Sequence, residues 1–277
     1  MNQLGPSGRP FLKMHGAGND FVVLDARSRP WDIDGEAARR LADRRTGIGC
    51  DQLIVVGSPR QPGADAFMTI FNPDGSEVSA CGNATRCVAW MLMGETGSGY
   101  ATIETRAGLL SAQAAGPNRV AVDMGPARLD WDQIPLARAM DTLHLPVSEG
   151  GLADPVGVGM GNPHAVFFVP DAEAVPLSEL GARLEHHALF PERCNIEAAQ
   201  ILGPERIRMR VWERGAGITL ACGTGACATL VAAARRGLTG RKADIVLDGG
   251  VLTIEWLDNG HVMMTGPVAL AYTGVLP

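Results

Sequence analysis

Two stretches of the chain, SACGNA at residues 79–84 and LACGTG at 220–225, each set a cysteine directly before a glycine at the head of an apolar run. A thiol at a helix N-terminus faces backbone N–H groups without intrahelical partners and the positive end of the helix dipole. Both favour the thiolate. One such cysteine suggests a nucleophile. Two in related settings suggest a pair of bases. Either Cys81 or Cys222 takes a proton from one face of a carbon, and the other returns one to the opposite face, inverting the centre. An amino-acid α-proton is weakly acidic, and proton transfer by side chains supplies only about 10²–10⁴-fold. The remainder must come from holding the carbanion's negative charge. Gly82 and Asn83, and likewise Gly223 and Thr224, supply N–H groups that open each helix and suit an α-carboxylate. Pyridoxal phosphate would be another route, but it needs a Schiff-base lysine. Of 24 basic residues only Lys13 and Lys242 are lysines, and neither lies in a phosphate-binding setting. The expectation is chemistry without a cofactor. No Cys-x-x-Cys or finger-spaced His pair accompanies the six cysteines, so no metal is expected either.

The elements that position these thiols are duplicated. GAGN at 16–19 returns as GMGN at 159–162, and the site of Gln52 returns as that of Asn195. TIFNPDG at 69–75 returns as RVWERGA at 210–216, Cys81 as Cys222, and VDMGP at 122–126 as MMTGP at 263–267. Order and spacing are kept throughout, with offsets of 141 to 143 residues. Cys87 and Cys227 trail the leading cysteines by different distances and read as apolar helix filler. Ala84, Cys87, Val88, Met91 and Leu92 follow helical spacing, as do Cys227, Leu230, Val231 and Ala234. From Gly225 to Ala234 there is no charge, the mark of a helix buried on all sides. Runs such as FVVLDA, QLIVVG and AFMTIF, and in the second half AVFFV, IRMRVW and VLTIEW, read as strands. The spacing therefore predicts an α+β fold of two pseudo-symmetric domains. Each is a curved, mainly antiparallel sheet around one central helix, and the two helix mouths face one cleft. The expected halves are residues 1–126 and 127–267, with 268–277 following as a last segment.

Composition narrows the partners. The chain of 277 residues is 46% hydrophobic and 19% charged, with a net charge of −6 and no basic run. This fits a compact soluble protein rather than a disordered one, and the absence of a basic run disfavours nucleic acid and anionic membrane surfaces. The opening MNQLGPSGRP lacks the apolar core of an export signal, so a cytoplasmic location with reduced thiols is the expectation.

HGAGNDFVVLD, TGIGCDQLIVV, FNPDGSEVSACGNATRC, GMGNPHAVFFV, FPERCNIE and VWERGAGITLACGTGACA together resemble the diaminopimelate epimerase family, from His15 to Tyr272. That resemblance implies a pyridoxal-independent isomerase converting LL-2,6-diaminopimelate to the meso form, for lysine and peptidoglycan synthesis. It implies Cys81 and Cys222 as the acid/base pair, with Gly82, Asn83, Gly223 and Thr224 on the reacting carboxylate. Asn19, Gln52, Asn72, Asn162, Asn195, Glu213 and Arg214 would contact the rest of the substrate. His164 and Glu213 would tune the thiols, Tyr272 would sit in a homodimer interface, and the last strand, residues 268–277, would return to the first half. Cys50, Cys194 and His15 read as structural. Ala84-Thr85, Ala198-Ala199 and Ile218 depart from the family's usual residues without removing a group the chemistry needs. Another cofactor-independent amino-acid racemase of the same fold is the alternative. A thiol–disulfide oxidoreductase or a silent binding module would fail to exchange an α-hydrogen with deuterated water.

Overall fold

The computed structural model describes residues 8–276; the first seven residues, part of the segment read for an export signal, and Pro277 lie outside the described residues. The chain divides into two compact units, one formed by residues up to Val122 with those from Thr265 onward, the other by Asp123–Met264. In chain order the first half holds β1 (Arg9–Gly16), β2 (Asn19–Asp25), α1 (Gly35–Ala42), β3 (Gln52–Gly57), β4 (Ala66–Phe71), β5 (Glu77–Val78), α2 (Gly82–Thr96), β6 (Tyr100–Thr105), β7 (Gly108–Ala114) and β8 (Arg119–Pro126). Then follow β9 (Ser148–Glu149), β10 (Leu152–Ala153), β11 (Val156–Gly159), β12 (Pro163–Phe168), α3 (Leu177–Glu185), β13 (Asn195–Gly203), β14 (Arg206–Glu213) and β15 (Gly217–Ile218). α4 (Gly223–Arg235), β16 (Lys242–Leu247), β17 (Gly250–Trp256), β18 (His261–Pro267) and β19 (Ala269–Leu276) complete the chain.

The strand pairings repeat. β2 runs parallel to β3, which is antiparallel to β4; β12, β13 and β14 do the same. β4 pairs antiparallel with β5 and parallel with β6, as β14 does with β15 and β16. β6–β7 and β16–β17 are antiparallel hairpins, as are β1–β2 and β11–β12. β19 returns antiparallel to β1. The sequence duplication is thus a duplication of topology.

Each half wraps its sheet around one helix. α4 packs on β11, β12, β13, β14, β16 and β17, and every residue from Gly225 to Ala233 is buried. Such a helix has no solvated face to favour polar residues. Burial of its Leu230 and Val231 contributes roughly 1.5–3 kcal/mol each. α2 packs on β1, β2, β6 and β7 with Ala84, Cys87, Val88, Met91 and Leu92 buried, and ends at Gly97 in the left-handed conformation (φ 69°). A second helix in each half, outside the one-helix reading of the sequence, covers the opposite sheet face. Ala38, Leu41 and Ala42 of α1 pack with Val22, Leu24 and Leu53; Leu177, Leu180 and Leu184 of α3 pack with Ala165, Phe167 and Ile196. β2, β3, β12 and β13 are therefore covered on both faces, which explains their near-continuous apolar runs. Among the described residues no helix is long and apolar enough to cross a membrane.

Candidate active site

Both leading cysteines are helix N-caps with extended backbone: Cys81 at φ −147°, ψ 112° opens α2, and Cys222 at φ −113°, ψ 108° opens α4. The Cys222 sulfur accepts the Gly225 N–H at 3.4 Å, as an oxygen would in an ordinary cap. Thr224 Oγ1 lies 3.6 Å from the same sulfur.

In the first half, parallel pairing places the starts of β2 and β3 and the end of β4 together, so Asn19, Gln52 and Asn72 share one end of the sheet. Asn19 Oδ1 accepts from Asn83 Nδ2 at 3.3 Å and faces the Cys81 thiol at 4.0 Å. Its Nδ2 donates to Asp51 Oδ2 at 3.0 Å, a contact with a carboxylate that fixes which way the amide points. Gln52 Nε2 donates to Asn72 Oδ1 at 3.1 Å. The Gln52 Oε1 and Asn83 Oδ1 atoms are buried and accept no hydrogen bond from any described residue, which leaves two acceptors for donors such as ammonium groups.

Asp51 belongs to a network that the sequence reading did not single out, although it adjoins Gln52 in CDQ. Asp51 and Asp20 cap each other's backbone N–H at 3.0 Å, and Arg44 bridges both carboxylates at 2.7 and 2.6 Å. Lys13 Nζ binds Asp20 and the Gly49 carbonyl. Burial opposes ionisation of Asp20, but Arg44 and Lys13 prevail and hold its carboxyl well below the usual range. A folded-state value below the unfolded one adds stability that is complete above about pH 4 and is lost as pH falls toward the depressed value. Asp20→Asn should therefore cost about 1–3 kcal/mol near neutrality. The gap between native and variant should narrow below pH 4 in denaturant titrations; a gap constant down to pH 3 would contradict this assignment.

The second half repeats the layout with Asn162 before β12, Asn195 opening β13 and Glu213 ending β14. Asn162 Nδ2 donates to Thr224 Oγ1 at 3.3 Å, and its Oδ1 lies 3.0 Å from His164 Nε2. Asn195 is committed to backbone: Nδ2 donates to the Pro163 carbonyl at 2.8 Å and Oδ1 accepts the Arg214 N–H at 2.9 Å. It builds the turn that carries Arg214. The Arg214 guanidinium donates to the Glu192 carbonyl at 3.0 Å, and Glu213 accepts from Thr219 Oγ1.

Helix-mouth geometry alone argues for a thiolate, yet at Cys222 burial pushes the thiol well up, with Glu213 and Glu197 adding to it and the Thr224 and Gly225 hydrogen bonds opposing. Together these effects favour the protonated thiol at Cys222. Cys50 and Cys194 lie in the hydrophobic cores; burial raises the first to about 11 and the second well above its ordinary value. Cys87 and Cys227 are enclosed in their helices, Cys87 pushed by burial to about 12. His15 is exposed on β1. Tyr272 is 48% exposed on β19, edge-on to Phe11 at 6.2 Å, with Leu270 and Val275 also exposed along that strand.

The model of the family described as diaminopimelate epimerase matches residues 11–129 and 156–271, which take in both helix mouths and both amide clusters. A diaminopimelate epimerase of Rhodospirillum centenum is 66% identical over 268 residues, covering 97% of this chain and 92% of that one. The chain belongs to the diaminopimelate epimerase family. The diaminopimelate epimerase of Acidiphilium cryptum is 59% identical over 98% of this chain and 97% of its own. Among solved structures, a predicted epimerase from Pseudomonas aeruginosa shares the fold at a TM-score of 0.68 and 17% identity, covering 97% and 99% of the two chains. A hydroxyproline epimerase from Agrobacterium vitis, bound to trans-4-hydroxy-L-proline, does so at 0.67 and 16%, covering 96% and 92%. The two-domain α+β architecture read from the sequence is that of this epimerase family.

Proposed function

We infer that this chain is a diaminopimelate epimerase that interconverts the LL and meso forms by two-base proton transfer between Cys81 and Cys222. The observation that carries the reading is the repeated half-site: in each half a cysteine caps a buried helix beside the same end of the same three strands. Gly82 and Asn83, with Gly223 and Thr224, bind the reacting carboxylate through helix-opening N–H groups. Their fixed dipoles stabilise the carbanion where water is excluded. Asn19, Gln52, Asn72, Asn162, Glu213 and Arg214 receive the substrate's other ammonium and carboxylate groups, and Asn195 joins them through the amide hydrogen that its two backbone bonds leave over. The open acceptors on Gln52 and Asn83 suit an ammonium, and the Arg214 guanidinium suits a carboxylate.

Lysine chemistry does not compete. Lys13 is bound to Asp20 and Gly49, and Lys242 pairs with Glu255 at 2.9 Å. The working halves are residues 1–126 with 268–277 and residues 127–267. The enzyme acts in the cytoplasm as a homodimer, with Tyr272 and the exposed apolar residues of β19 in the interface. Chiral chromatography of LL-diaminopimelate incubated with the purified protein tests the function. Formation of the meso isomer supports it. Inversion of proline or hydroxyproline with diaminopimelate untouched would replace it with the reading of another racemase of this fold.

A further inference from the structure

The two halves differ at a buried place beside the helix mouths. Two residues beyond Asn19 stands Phe21, and two beyond Asn162 stands His164; two beyond Gln52 stands Ile54, and two beyond Asn195 stands Glu197. The registers agree: Phe21 opposes Gln52 as His164 opposes Asn195, and Val23 opposes Ile54 as Val166 opposes Glu197. All four side chains are fully buried. The same fold closes over hydrocarbon in one half and over an imidazole and a carboxyl in the other. Hydrophobic replacement of such a buried pair is often neutral or stabilising. The fold does not require the polar pair.

What the pair reaches is the Cys222 sulfur. His164 Nδ1 lies 2.6 Å from Glu197 Oε1, and His164 Nε2 donates to Asn162 Oδ1 at 3.0 Å. The other end of that amide donates to Thr224 Oγ1, whose hydroxyl faces Cys222. With a hydrogen already on Nε2, the Nδ1–Oε1 contact holds a second proton. The pair is then imidazolium with carboxylate or imidazole with carboxylic acid, neutral overall in both forms. Glu197 Oε2 is buried without a hydrogen bond, an arrangement costly for a full carboxylate. Burial accordingly raises Glu197, with Glu213 adding and His164 opposing. The other groups that act on this cluster are Cys222, Glu213 and Cys194, with Arg214 acting on Cys194. Glu197 also lies beneath the first turn of α4: a Cβ at Gly225 would sit 2.9 Å from Oε1 and 3.2 Å from the Cys222 sulfur. The equivalent of Gly225 in the first half is Ala84, where Ile54 replaces the carboxyl.

We propose that Glu197 is a positioning residue for the epimerase reaction: it shares one proton with His164 and so orients the hydrogen-bond chain from His164 through Asn162 and Thr224 to Cys222. As Cys222 gives up its proton, the shared proton moves from Glu197 Oε1 to His164 Nδ1. One O–H bond breaks and one N–H bond forms. The imidazolium so formed polarises the chain toward the new thiolate. This rests on the reading of Cys222 as an acid/base.

The test compares the native full-length protein with Glu197→Gln, Glu197→Asp and the double exchange His164→Phe/Glu197→Ile, which copies the first half. Three quantities are read: kcat and KM for diaminopimelate, melting temperature, and the pH profile of Cys222 alkylation by iodoacetamide with Cys81 as internal reference. Glu197→Gln should lower kcat about 10–100-fold, as for other carboxylates that hold a functional histidine by its far nitrogen, with KM within a few-fold. Losing the shared proton should outweigh losing the Glu197 charge that opposes the thiolate. The Cys222 alkylation profile of this variant should therefore move to higher pH while that of Cys81 stays. A move to lower pH would show that Glu197 acts by its charge alone and overturn the proposal. Glu197→Asp should recover part of the rate. The double exchange should melt no lower than the native protein and lose activity as Glu197→Gln does. Native kcat together with an unmoved Cys222 profile in Glu197→Gln would overturn the proposal. Should that variant not fold, native turnover in the folded double exchange would do the same. If the native protein leaves diaminopimelate unchanged, the function assigned above fails, while the Cys222 profile still decides the role of Glu197.

Discussion

Cys81→Ala and Cys222→Ala should each abolish epimerisation while leaving substrate binding measurable. Proton transfer by a positioned side chain is worth about 10²–10⁴-fold, and inversion needs one on each face. Removing either sulfur should therefore lower kcat by at least about 10²-fold. Each variant keeps one base, so each should exchange the α-hydrogen of one isomer with solvent without inverting it, and the two variants should serve opposite isomers. The check is mass spectrometry of diaminopimelate recovered from deuterated water, with chiral chromatography alongside. A single variant that inverts the centre within tenfold of the native rate would remove the need for two bases.

Gly225→Ala should be the next most damaging exchange. Gly225 lies in the first turn of α4, and an added Cβ would meet Glu197 Oε1 at 2.9 Å, the Cys222 sulfur at 3.2 Å and the Cys222 Cβ at 3.3 Å. None of the three has room to retreat, because Glu197 is fully buried and Cys222 is only 4% exposed. Overpacking of this kind costs about 1–3 kcal/mol. Displacing a reacting atom by a fraction of an ångström to 1 Å costs up to about 10²-fold in rate. A drop in kcat of about 10–100-fold with a modest fall in melting temperature is the expected pair of results. Ala84→Gly, the reciprocal exchange in the first half, adds no atoms and should cost only about 1 kcal/mol of helix stability. Native kcat in Gly225→Ala would show that the first turn of α4 yields freely.

Much of this was legible in the sequence because the duplication exposes it. A motif seen once is a turn fragment, whereas the same motif seen twice at a near-constant offset locates a half-site. The helix mouths at Cys81 and Cys222 and the strands FVVLDA and AVFFV follow from apolar spacing and lie where that spacing puts them. β13 was not legible. Its NIEAAQILG carries Glu, Gln and two alanines, residues that favour helix, and only its place beside β12 makes it a strand. Glu197 was missed for that reason, although period-two alternation from Asn195 puts both residues on one face. α1 was missed because its buried stripe is only Ala37, Ala38, Leu41 and Ala42, interrupted by Arg39 and Arg40. Which cysteine rests as thiolate was not legible in the sequence, because a helix mouth says nothing of burial or of two nearby carboxyls. At Cys222 burial and the two carboxyls outweigh the hydrogen bonds from Thr224 and the Gly225 N–H.

The most direct test of two bases on opposite faces of one carbon is the fate of label in the first turnovers. LL-diaminopimelate is incubated with the protein in deuterated water, and both isomers are recovered at low conversion. Two bases give deuterium in the meso product and hydrogen retained in the remaining LL substrate. Product that keeps the substrate's own hydrogen, or label appearing equally in both isomers from the start, would contradict it.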